Sequence, residues 1–340
     1  MNREGSGEPQ GGAPVRRWDG LAAVPPDHGP SVVTVGMFDG VHRGHHALLD
    51  RVAAEAAARG LPAGAVTFDR HPLEVLRPDA RPPLLTTLDR KVALLGAAGM
   101  DFVLVLAFTE ELSQVTAEAF AHEVLLDGVG ARAIVVGENF RFGHKAAGDP
   151  ALLAELGRPR GVDVVAVPLH ADGGEPVSST RIRAALAGGD VRAAAALLGR
   201  FYGVEGTVVR GDGRGGRELG IPTANLAVGG DLALPANGVY AGHLTEDAGG
   251  PDSPGHPPGV PRTPPLPAAI SVGVNPQFHR SGLRVEAHVL DFDGDLLGAQ
   301  VSVSFEHRLR DEAAFPTVED LVAQIHQDIR HTRRLLRQRP

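Results

Sequence analysis

The stretch SVVTVGMFDGVHRGHH, residues 31–46, predicts the fold of the amino-terminal half of the chain. Its first residues form a short apolar run rich in β-branched side chains, which indicates a buried strand. Gly36, Gly40 and Gly44 follow in a loop, and we expect a helix from about His42 to Arg59. A buried strand that passes through a glycine-rich loop into a helix is typical of a parallel α/β sheet.

The same alternation continues along the chain and then changes near residue 200. Short apolar strands are predicted at 63–68, 102–107, 131–136 and 162–167, with helices at 86–99, 116–127, 149–156, 180–187 and 190–198. Later strands are short and separated by frequent turns, at 203–210, 238–244, 268–273, 283–292 and 299–306. This second pattern predicts an antiparallel sheet or barrel, closed by a terminal helix over 317–337 with Leu321, Ile325 and Ile329 on one apolar stripe.

The length of 340 residues suggests about two domains. We predict an unstructured tail over 1–30, with order beginning at Ser31, a first domain over 31–187, a linker helix over 188–202 and a second domain over 203–340. Eight prolines lie between 251 and 267, so this stretch is predicted to be a loop outside strands and helices. A docking ligand in polyproline conformation is the alternative interpretation of the same prolines.

Composition excludes several classes of protein. The chain has no cysteine, which excludes disulfide scaffolds, thiolate metal sites and cysteine nucleophiles. A net charge of −8 disfavours a broad surface for nucleic acid, and no apolar run reaches the roughly 18 residues of a membrane span. We therefore expect a cytoplasmic protein without nucleic-acid or membrane partners, and its oligomeric state stays open.

Two histidines mark the first candidate site. His42 and His45 lie three residues apart at the predicted start of a helix, so they share one face. A helix amino terminus offers free N–H groups and positive potential, which suit phosphate. Two imidazoles there can donate hydrogen bonds to a triphosphate while negative charge builds on leaving pyrophosphate. The alternative is a pair of exposed histidines without a ligand.

A second cluster, VSSTRIR at 177–183, opens another predicted helix. Ser179 or Thr180 is expected to cap it, and Arg183 follows one turn later. Hydroxyls, helix N–H groups and an arginine together make a phosphate clamp. An ordinary helix cap is the alternative.

The stretch GTVVRGDGRGGRELGIPTANL at 206–226 marks the second candidate site. Gly211 and Gly213 leave backbone N–H groups free to bind phosphate, although the P-loop motif is absent. Thr223 and Asn225 alternate on an extended segment, so both side chains point the same way. Their oxygens suit Mg²⁺. Taken alone, the stretch is better read as a hairpin loop with a capped exit.

A carboxylate completes this second site. Val285, Ala287 and Val289 alternate with polar residues, which puts Glu286 on the face opposite the apolar set. A carboxylate on a rigid strand is well placed to act as a general base toward a hydroxyl that attacks a γ-phosphate. A solvent-facing glutamate without a catalytic role is the alternative.

Four motifs of the first half resemble one known group. FDGVHRGH, VTFDRHP (66–72), VGENFRFG (136–143) and SSTRIR are similar, in this order, to the FMN adenylyltransferase module of bacterial riboflavin kinase/FMN adenylyltransferases, also called FAD synthetases, over roughly 31–187. The resemblance implies a Rossmann-like α/β domain of the nucleotidylyltransferase type, in which His42 and His45 contact ATP phosphates and Asn139 contacts substrate. It assigns ATP or phosphate binding to Gly36, Phe38, Asp39, Gly40, Gly44, Ser179, Thr180 and Arg183. The resemblance defines the role of Asp69 and His71 less closely, and a turn-stabilising role is equally expected for them.

The second half resembles the riboflavin kinase family over about 197–330, through LGRFYGVEGTVVRG, GRELGIPTANL, NGVYAG, SVGVNPQF and VEAHVLDF. The resemblance implies a small antiparallel β-barrel with a terminal helix, ligation of Mg²⁺·ATP by Thr223 and Asn225, and Glu286 as the catalytic base. Gln277 and Leu297 depart from the threonine and tyrosine that many members have, which is expected to alter flavin packing. The proline-rich stretch is an insertion relative to the family.

Together these resemblances predict a bifunctional enzyme. It would phosphorylate riboflavin to FMN and then adenylylate FMN to FAD and pyrophosphate, with riboflavin, FMN and ATP as substrates and Mg²⁺ as cofactor. Three alternatives stay open: a riboflavin kinase with a degenerate first domain, a transferase for another phosphate ester such as a phosphopantetheine, or a non-enzymatic flavin- or nucleotide-binding regulator.

Overall fold

The computed structural model describes residues 14–211, 221–229, 231–246, 264–274 and 283–337. Contacts divide the chain into two compact units. The first comprises Met1–Gly36, Leu48–Asp69 and Val92–Val167, and the second Met37–Ala47, Arg70–Lys91 and Pro168–Pro340. Residues 37–47, which contain His42 and His45 and are called the histidine loop below, therefore belong to the same unit as the carboxy-terminal half. Residues 70–91 belong to that unit as well.

The described elements are these. The strands are β1 Arg16–Asp19, β2 Ser31–Val35, β3 Ala63–Phe68, β4 Phe102–Leu106, β5 Ala131–Gly137, β6 Asp163–Val167, β7 Ala171–Asp172, β8 Glu175–Pro176, β9 Tyr202–Val209, β10 Ala224–Val228, β11 Gly238–Glu246, β12 Leu266–Val274, β13 Leu283–Val289 and β14 Gln300–Arg310. The α-helices are α1 Arg43–Arg59, α2 Pro72–Leu76, α3 Leu88–Ala97, α4 Glu110–Gln114, α5 Ala117–Phe120, α6 Pro150–Gly157, α7 Ser179–Ala187, α8 Val191–Leu198 and α9 Val318–Arg337.

The first unit contains a six-stranded parallel sheet in the order β1-β4-β3-β2-β5-β6. Every residue of β2 and β4 is buried, as expected for central strands with both faces covered. The predicted Rossmann-like α/β class and the predicted strands at 63–68 and 102–107 are confirmed. The helix predicted over 116–127 is instead α5 followed by a π-helical stretch, Ala121–Gly128.

The predicted start of order at Ser31 is wrong, because β1 lies earlier in the chain. Strand β1 pairs in parallel with β4 at the edge of the sheet. Its Trp18 is buried and stacks on Phe102, with ring centroids 4.6 Å apart. Only one of its four residues is buried, so the strand carries no alternation that sequence could reveal. Residues 1–13 of the predicted tail lie outside the described residues.

The second unit contains a closed antiparallel barrel in the order β10-β13-β12-β11-β14-β9. This confirms the predicted barrel, although β10 was expected only as an extended segment. A hydrophobic cluster joins the barrel to α7 and α8: Ile182, Leu186, Val191, Leu197 and Leu198 are buried in it with Tyr240, Ile270 and Phe305. Residues 188–202, expected as a linker helix, thus contain a helix packed into the core of the barrel unit.

One further expectation for this unit, the extent of the proline-rich loop, needs correction. Pro267 is the second residue of β12, where it pairs with His243, so the proline-rich loop ends before 267. A proline is tolerated there because the start of a strand loses only one ladder hydrogen bond. Residues 251–263 lie outside the described part of the chain.

Helix α9 packs on β11, β12 and β14. The predicted stripe of Leu321, Ile325 and Ile329 is only half-buried, whereas Asp328 and Thr332 are the buried residues of this helix. The Asp328 carboxylate accepts hydrogen bonds from Arg310 at 2.8 and 3.0 Å, which compensates the cost of burying its charge. Within the described ranges, no helix is long and apolar enough to cross a membrane.

Two candidate active sites

The loop that carries the two histidines is tightly wound. Phe38, Gly40 and Val41 have φ angles of 50°, 83° and 37°, in the region that non-glycine residues rarely adopt. Phe38 and Val41 are nevertheless almost wholly buried, at 1% and 0% exposure. A Cβ on Gly40 would lie 2.8 Å from Leu85 Cδ1. The loop is therefore held in a strained conformation by close packing.

His42 and His45 face each other at the start of α1. Their rings stack with centroids 3.7 Å apart and planes 14° apart. The backbone N–H of each donates to Nδ1 of the other at 3.3 Å. Phe38 packs its ring edge-on against His45, 5.2 Å away between centroids. Because both Nδ1 atoms accept, a neutral imidazole in this arrangement carries its proton on Nε2.

Burial keeps both rings uncharged. It lowers the pKa of His42 to about 4, and the nearby Arg200 guanidinium contributes to the decrease. Burial likewise holds the pKa of His45 well below its usual value, with His42 adding to the effect. At neutral pH the pair therefore presents two Nε2–H donors at the amino terminus of a 17-residue helix. This arrangement suits a polyphosphate, as predicted from sequence.

Asp39 connects this loop to the start of α7. Its buried carboxylate accepts a hydrogen bond from the Leu85 N–H at 2.9 Å and pairs with the Arg183 guanidinium. The Ser179 hydroxyl donates to the Asp39 carbonyl at 2.9 Å. Burial raises the pKa of Asp39, and the positive charge of Arg183 opposes that rise. The structure thus brings together three of the predicted residues.

The cap of α7 differs from the prediction. Ser178, not Ser179 or Thr180, accepts the hydrogen bond from the Arg181 N–H, at 3.3 Å. Ser179 is free for the contact with Asp39 because its neighbour caps the helix, and Thr180 is exposed. Three adjacent hydroxyl residues are all competent caps, so the sequence alone does not separate them.

Sequence reasoning missed two cations that bind the same loop. The Lys91 ammonium is buried and donates to the Met37 carbonyl at 3.3 Å. The Arg200 guanidinium donates to the carbonyls of Gly40 at 2.6 Å and Val41 at 3.0 Å. Lys91 carried a usable signal, since it is one of only two lysines in the chain. Arg200 carried none, because arginine is common here.

The remaining residues predicted for the first site lie as follows. Gly36 directly follows β2, and its backbone N–H donates to the Val66 carbonyl at 3.0 Å. Gly44 packs so closely that an added Cβ would lie 3.1 Å from the His42 ring. Asn139 lies exposed after β5, in the first unit.

Asp69 and His71 both take part in turns. The Asp69 carboxylate accepts from the Phe108 N–H at 2.9 Å. The His71 ring caps α2 by accepting from the Leu73 N–H at 3.1 Å. These contacts match the turn-stabilising alternative.

The second candidate site lies on the outer face of the barrel. Leu226 and Val285 point into the buried core, whereas Asn225 and Glu286 are half-buried and directly opposite each other in the β10–β13 pairing. Thr223 is also half-buried, two residues before Asn225. The predicted placement of Glu286 opposite the apolar set is confirmed by this pattern.

Arg284 links the two central residues of this site. Its Nε donates to Asn225 Oδ1 at 2.9 Å, and the guanidinium also forms an ion pair with Glu286. Sequence reasoning did not single out Arg284. The alternation that places Glu286 outward places Arg284 on the same face two residues earlier, so the signal was present.

A cavity of about 410 Å³ adjoins these residues. Its lining includes Gly211, Thr223, Asn225, Phe292 and the half-exposed Leu297. Glu286 is beside the cavity, through its neighbour Asn225, rather than part of the lining. Gly213 and Gln277 lie outside the described residues.

The oxygens at this site fit a hard divalent cation that takes most of its ligands from nucleotide phosphates and water. A threonine hydroxyl and an asparagine amide oxygen are suitable donors. Within the described ranges, no group of three or more histidine, aspartate or glutamate residues could hold a metal ion by itself. Asn225 Oδ1 is engaged by Arg284, so a cation would compete with that guanidinium.

Comparison with known proteins gives concordant results for the two halves. A family described as FAD synthetase matches residues 24–181, and a family described as Riboflavin kinase matches residues 198–336. A protein of Escherichia coli (strain K12) named "Bifunctional riboflavin kinase/FMN adenylyltransferase" is 35% identical over 297 residues, covering 87% of this chain and 90% of that protein. A protein of the same name from Pseudomonas fluorescens is 36% identical, covering 93% and 96%.

A solved structure extends the likeness to the fold over most of the chain. The crystal structure described as Macrolide-efflux Protein from Streptococcus pneumoniae superposes with a TM-score of 0.81 at 29% identity. It covers 94% of this chain and 99% of that one.

Proposed function

The chain belongs to the family of bifunctional riboflavin kinase/FMN adenylyltransferases, and on that premise we propose which of its residues carry each reaction. It phosphorylates riboflavin with ATP to give FMN, and it transfers AMP from ATP to FMN to give FAD and pyrophosphate. One observation supports the assignment of the two reactions to two sites. The stacked, neutral imidazoles of His42 and His45 lie at a helix start, whereas the Glu286 carboxylate and the Asn225 amide lie on the face of the barrel.

FMN adenylylation takes place at the histidine loop. The FMN phosphate oxygen attacks the α-phosphorus of ATP, and the bond to the bridging oxygen of pyrophosphate breaks. His42 and His45 donate their Nε2–H groups to the phosphates and stabilise the negative charge that develops on the leaving group. The positive potential at the amino terminus of α1 acts in the same sense. Ser179, Thr180 and Arg183 bind phosphate at the second helix, and Asn139 contacts substrate.

In this conformation Arg183 pairs with Asp39 and donates to the Pro83 carbonyl at 2.6 Å. We propose that the Asp39–Arg183 pair orders the loop before ATP binds, and that Arg183 turns toward phosphate in the complex. The raised pKa of Asp39 fits such a role. A carboxylate with a raised pKa takes up a proton more readily, so the charge left buried when Arg183 turns away costs less free energy.

Riboflavin phosphorylation takes place on the barrel face. Glu286 accepts the proton of the riboflavin hydroxyl as that oxygen attacks the γ-phosphorus of ATP, and the bond from that phosphorus to the bridging oxygen of the leaving ADP breaks. Thr223 and Asn225 would hold the divalent cation that ATP-using kinases need, which we propose to be Mg²⁺; when bound, it would neutralise phosphate charge. Gly211 provides a backbone N–H group to phosphate. Arg284 donates to Asn225 Oδ1 and would have to release that oxygen for a cation to bind there.

We further propose that the adenylyltransferase module spans 31–187 and the kinase module 203–340, and that the enzyme acts in the cytoplasm, where its ATP is supplied. The matches to separate families over 24–181 and 198–336 support the division.

The test follows each conversion separately, by chromatography of flavins after incubation with ATP and Mg²⁺. Glu286→Ala should slow riboflavin phosphorylation by about 10²–10⁴-fold, since it removes a general base, and should leave FMN adenylylation unchanged. Replacing both His42 and His45 by alanine should do the reverse.

Matched controls are Glu246→Ala, a half-buried glutamate at the end of β11, and His307→Ala, a half-buried histidine on β14. Neither control should affect either reaction by more than about twofold, the range expected away from named sites. Loss of both reactions in one folded variant would contradict the two-site assignment.

A further inference from the structure

Arg200 lies at the start of the segment that matches riboflavin kinases, yet its hydrogen bonds go to the histidine loop. The guanidinium donates to the carbonyls of Gly40 and Val41, the two residues directly before His42. Within the described part of the chain it forms no ion pair with a carboxylate. Its charge is therefore directed at the loop backbone.

These two carbonyls belong to the strained part of the loop. Gly40 and Val41 have positive φ angles, and such conformations persist only where the surroundings hold them. A planar guanidinium that binds two successive carbonyls fixes the orientation of the peptide units on either side of Val41. Since His42 follows immediately, Arg200 sets where the first imidazole stands relative to the second.

Arg200 also acts through its charge. The groups that act electrostatically on His42 and His45 are Arg200, Arg183, Lys91, His46 and the partner imidazole. Arg200 contributes most, after burial, to the lowered pKa of His42. Burial lowers the pKa of Arg200 itself to about 10, so it stays charged at neutral pH. A fixed cation therefore favours the neutral, donating form of His42.

We infer that Arg200 is a positioning residue for FMN adenylylation, contributed by the kinase-matching segment, and that it holds the histidine loop in its donating geometry. The inference rests on the proposed function insofar as His42 and His45 bind the triphosphate. It assigns a transferase role to a residue outside the segment matched to FAD synthetases, which ends at 181.

The test compares three variants of the full chain. Arg200→Met removes the charge and both hydrogen bonds while it keeps a long apolar stem. Arg200→Lys keeps the charge but replaces the fork with a single ammonium. Arg308→Met is the matched control, because the Arg308 guanidinium also donates to two backbone carbonyls, those of Gly188 and Asn237, each at 3.2 Å, away from the loop.

Arg200→Met should lower kcat/KM for FMN adenylylation by about 10–100-fold, the cost of a displaced catalytic group, with riboflavin phosphorylation within about twofold of wild type. Arg200→Lys should give an intermediate rate. Arg308→Met should leave the adenylylation rate unchanged, even if it lowers stability.

A titration of the His42 imidazole by NMR, assigned with His42→Ala, provides the second readout. In Arg200→Met its pKa should rise by about half a unit or more, because a like charge has been removed. In Arg200→Lys it should stay near the wild-type value. A residue that only stabilises the fold would not separate these two variants.

An unchanged adenylylation rate in Arg200→Met, or an equal loss of both reactions, would overturn the inference. So would an equal loss in Arg308→Met. If the variant that lacks both His42 and His45 still adenylylates FMN, the proposed function fails instead, whatever Arg200 does.

Discussion

Replacing Gly40 by alanine should disable one reaction and spare the other. Gly40 has a φ of +83°, and an added Cβ would lie 2.8 Å from Leu85 Cδ1 and 3.2 Å from Leu85 Cβ. Leu85 is 1% exposed and packed in the barrel cluster, so it has little room to move away. The loop must therefore shift, and His42 shifts with it.

The loss in free energy of unfolding expected for Gly40→Ala has two parts. Left-handed backbone costs alanine about 1–2 kcal/mol, and an extra carbon forced into a packed core costs about 1–3 kcal/mol. Gly60→Ala isolates the first part, because Gly60 has a φ of +64° and nothing lies within 4 Å of its added Cβ. The free energy of unfolding should thus fall by about 1–3 kcal/mol more in Gly40→Ala than in Gly60→Ala.

Urea unfolding measures the stability of both variants, and chromatography of the flavins measures both reactions. We expect Gly40→Ala to lose FMN adenylylation by at least about tenfold and to keep riboflavin phosphorylation. Gly60→Ala should keep both. Equal stability losses in the two variants, together with intact adenylylation in Gly40→Ala, would refute the claim that close packing on Leu85 shapes the loop.

Two further predictions concern charge. The free energy of unfolding should decrease as pH falls from about 6.5 toward 4, because the unfolded His42 binds a proton that the buried ring, with its pKa of about 4, does not. The contribution of this one residue is roughly 3 kcal/mol, and urea unfolding of His42→Asn over that pH range should show a correspondingly shallower slope. Arg284→Met should lower the Mg²⁺ concentration at half-maximal riboflavin phosphorylation, because the guanidinium no longer competes for Asn225 Oδ1. The Mg²⁺ dependence of FMN adenylylation is the internal control, and a parallel change there would contradict the competition.

Local alternation was enough to predict which residues of the barrel site face away from the apolar core. Strand geometry forces Thr223 and Asn225 to the same side and Glu286 away from Val285, whatever the rest of the chain does. The cross-strand pairing of Asn225 with Glu286 is different, because it depends on register between segments about sixty residues apart. From the sequence, only the resemblance to the riboflavin kinase family placed Asn225 and Glu286 in one site.

The histidine loop shows what local pattern cannot supply. The His42–His45 spacing indicated a phosphate site. The hydrogen bond from Arg200 to the Gly40 carbonyl, however, joins residues about 160 positions apart, so no periodic pattern in the sequence reveals it. The strained φ angles of Phe38 and Val41 are equally invisible, since neither residue favours them. Trp18 was missed for a related reason, because one buried side chain in a four-residue strand makes no pattern.

The shared hydrophobic cluster has a consequence for how such a chain can be recombined. The gap between the two family matches, residues 182–197, looks in sequence like a natural place to exchange halves between relatives. Yet Ile182, Leu186, Val191 and Leu197 pack against side chains of the barrel, and Leu85 joins the same cluster from the first half. In a chimera joined within that gap, these side chains would pack against a barrel from a different protein, whose contacting side chains differ. Inheritance of the two activities as one unit is thus favoured by packing as well as by chemistry.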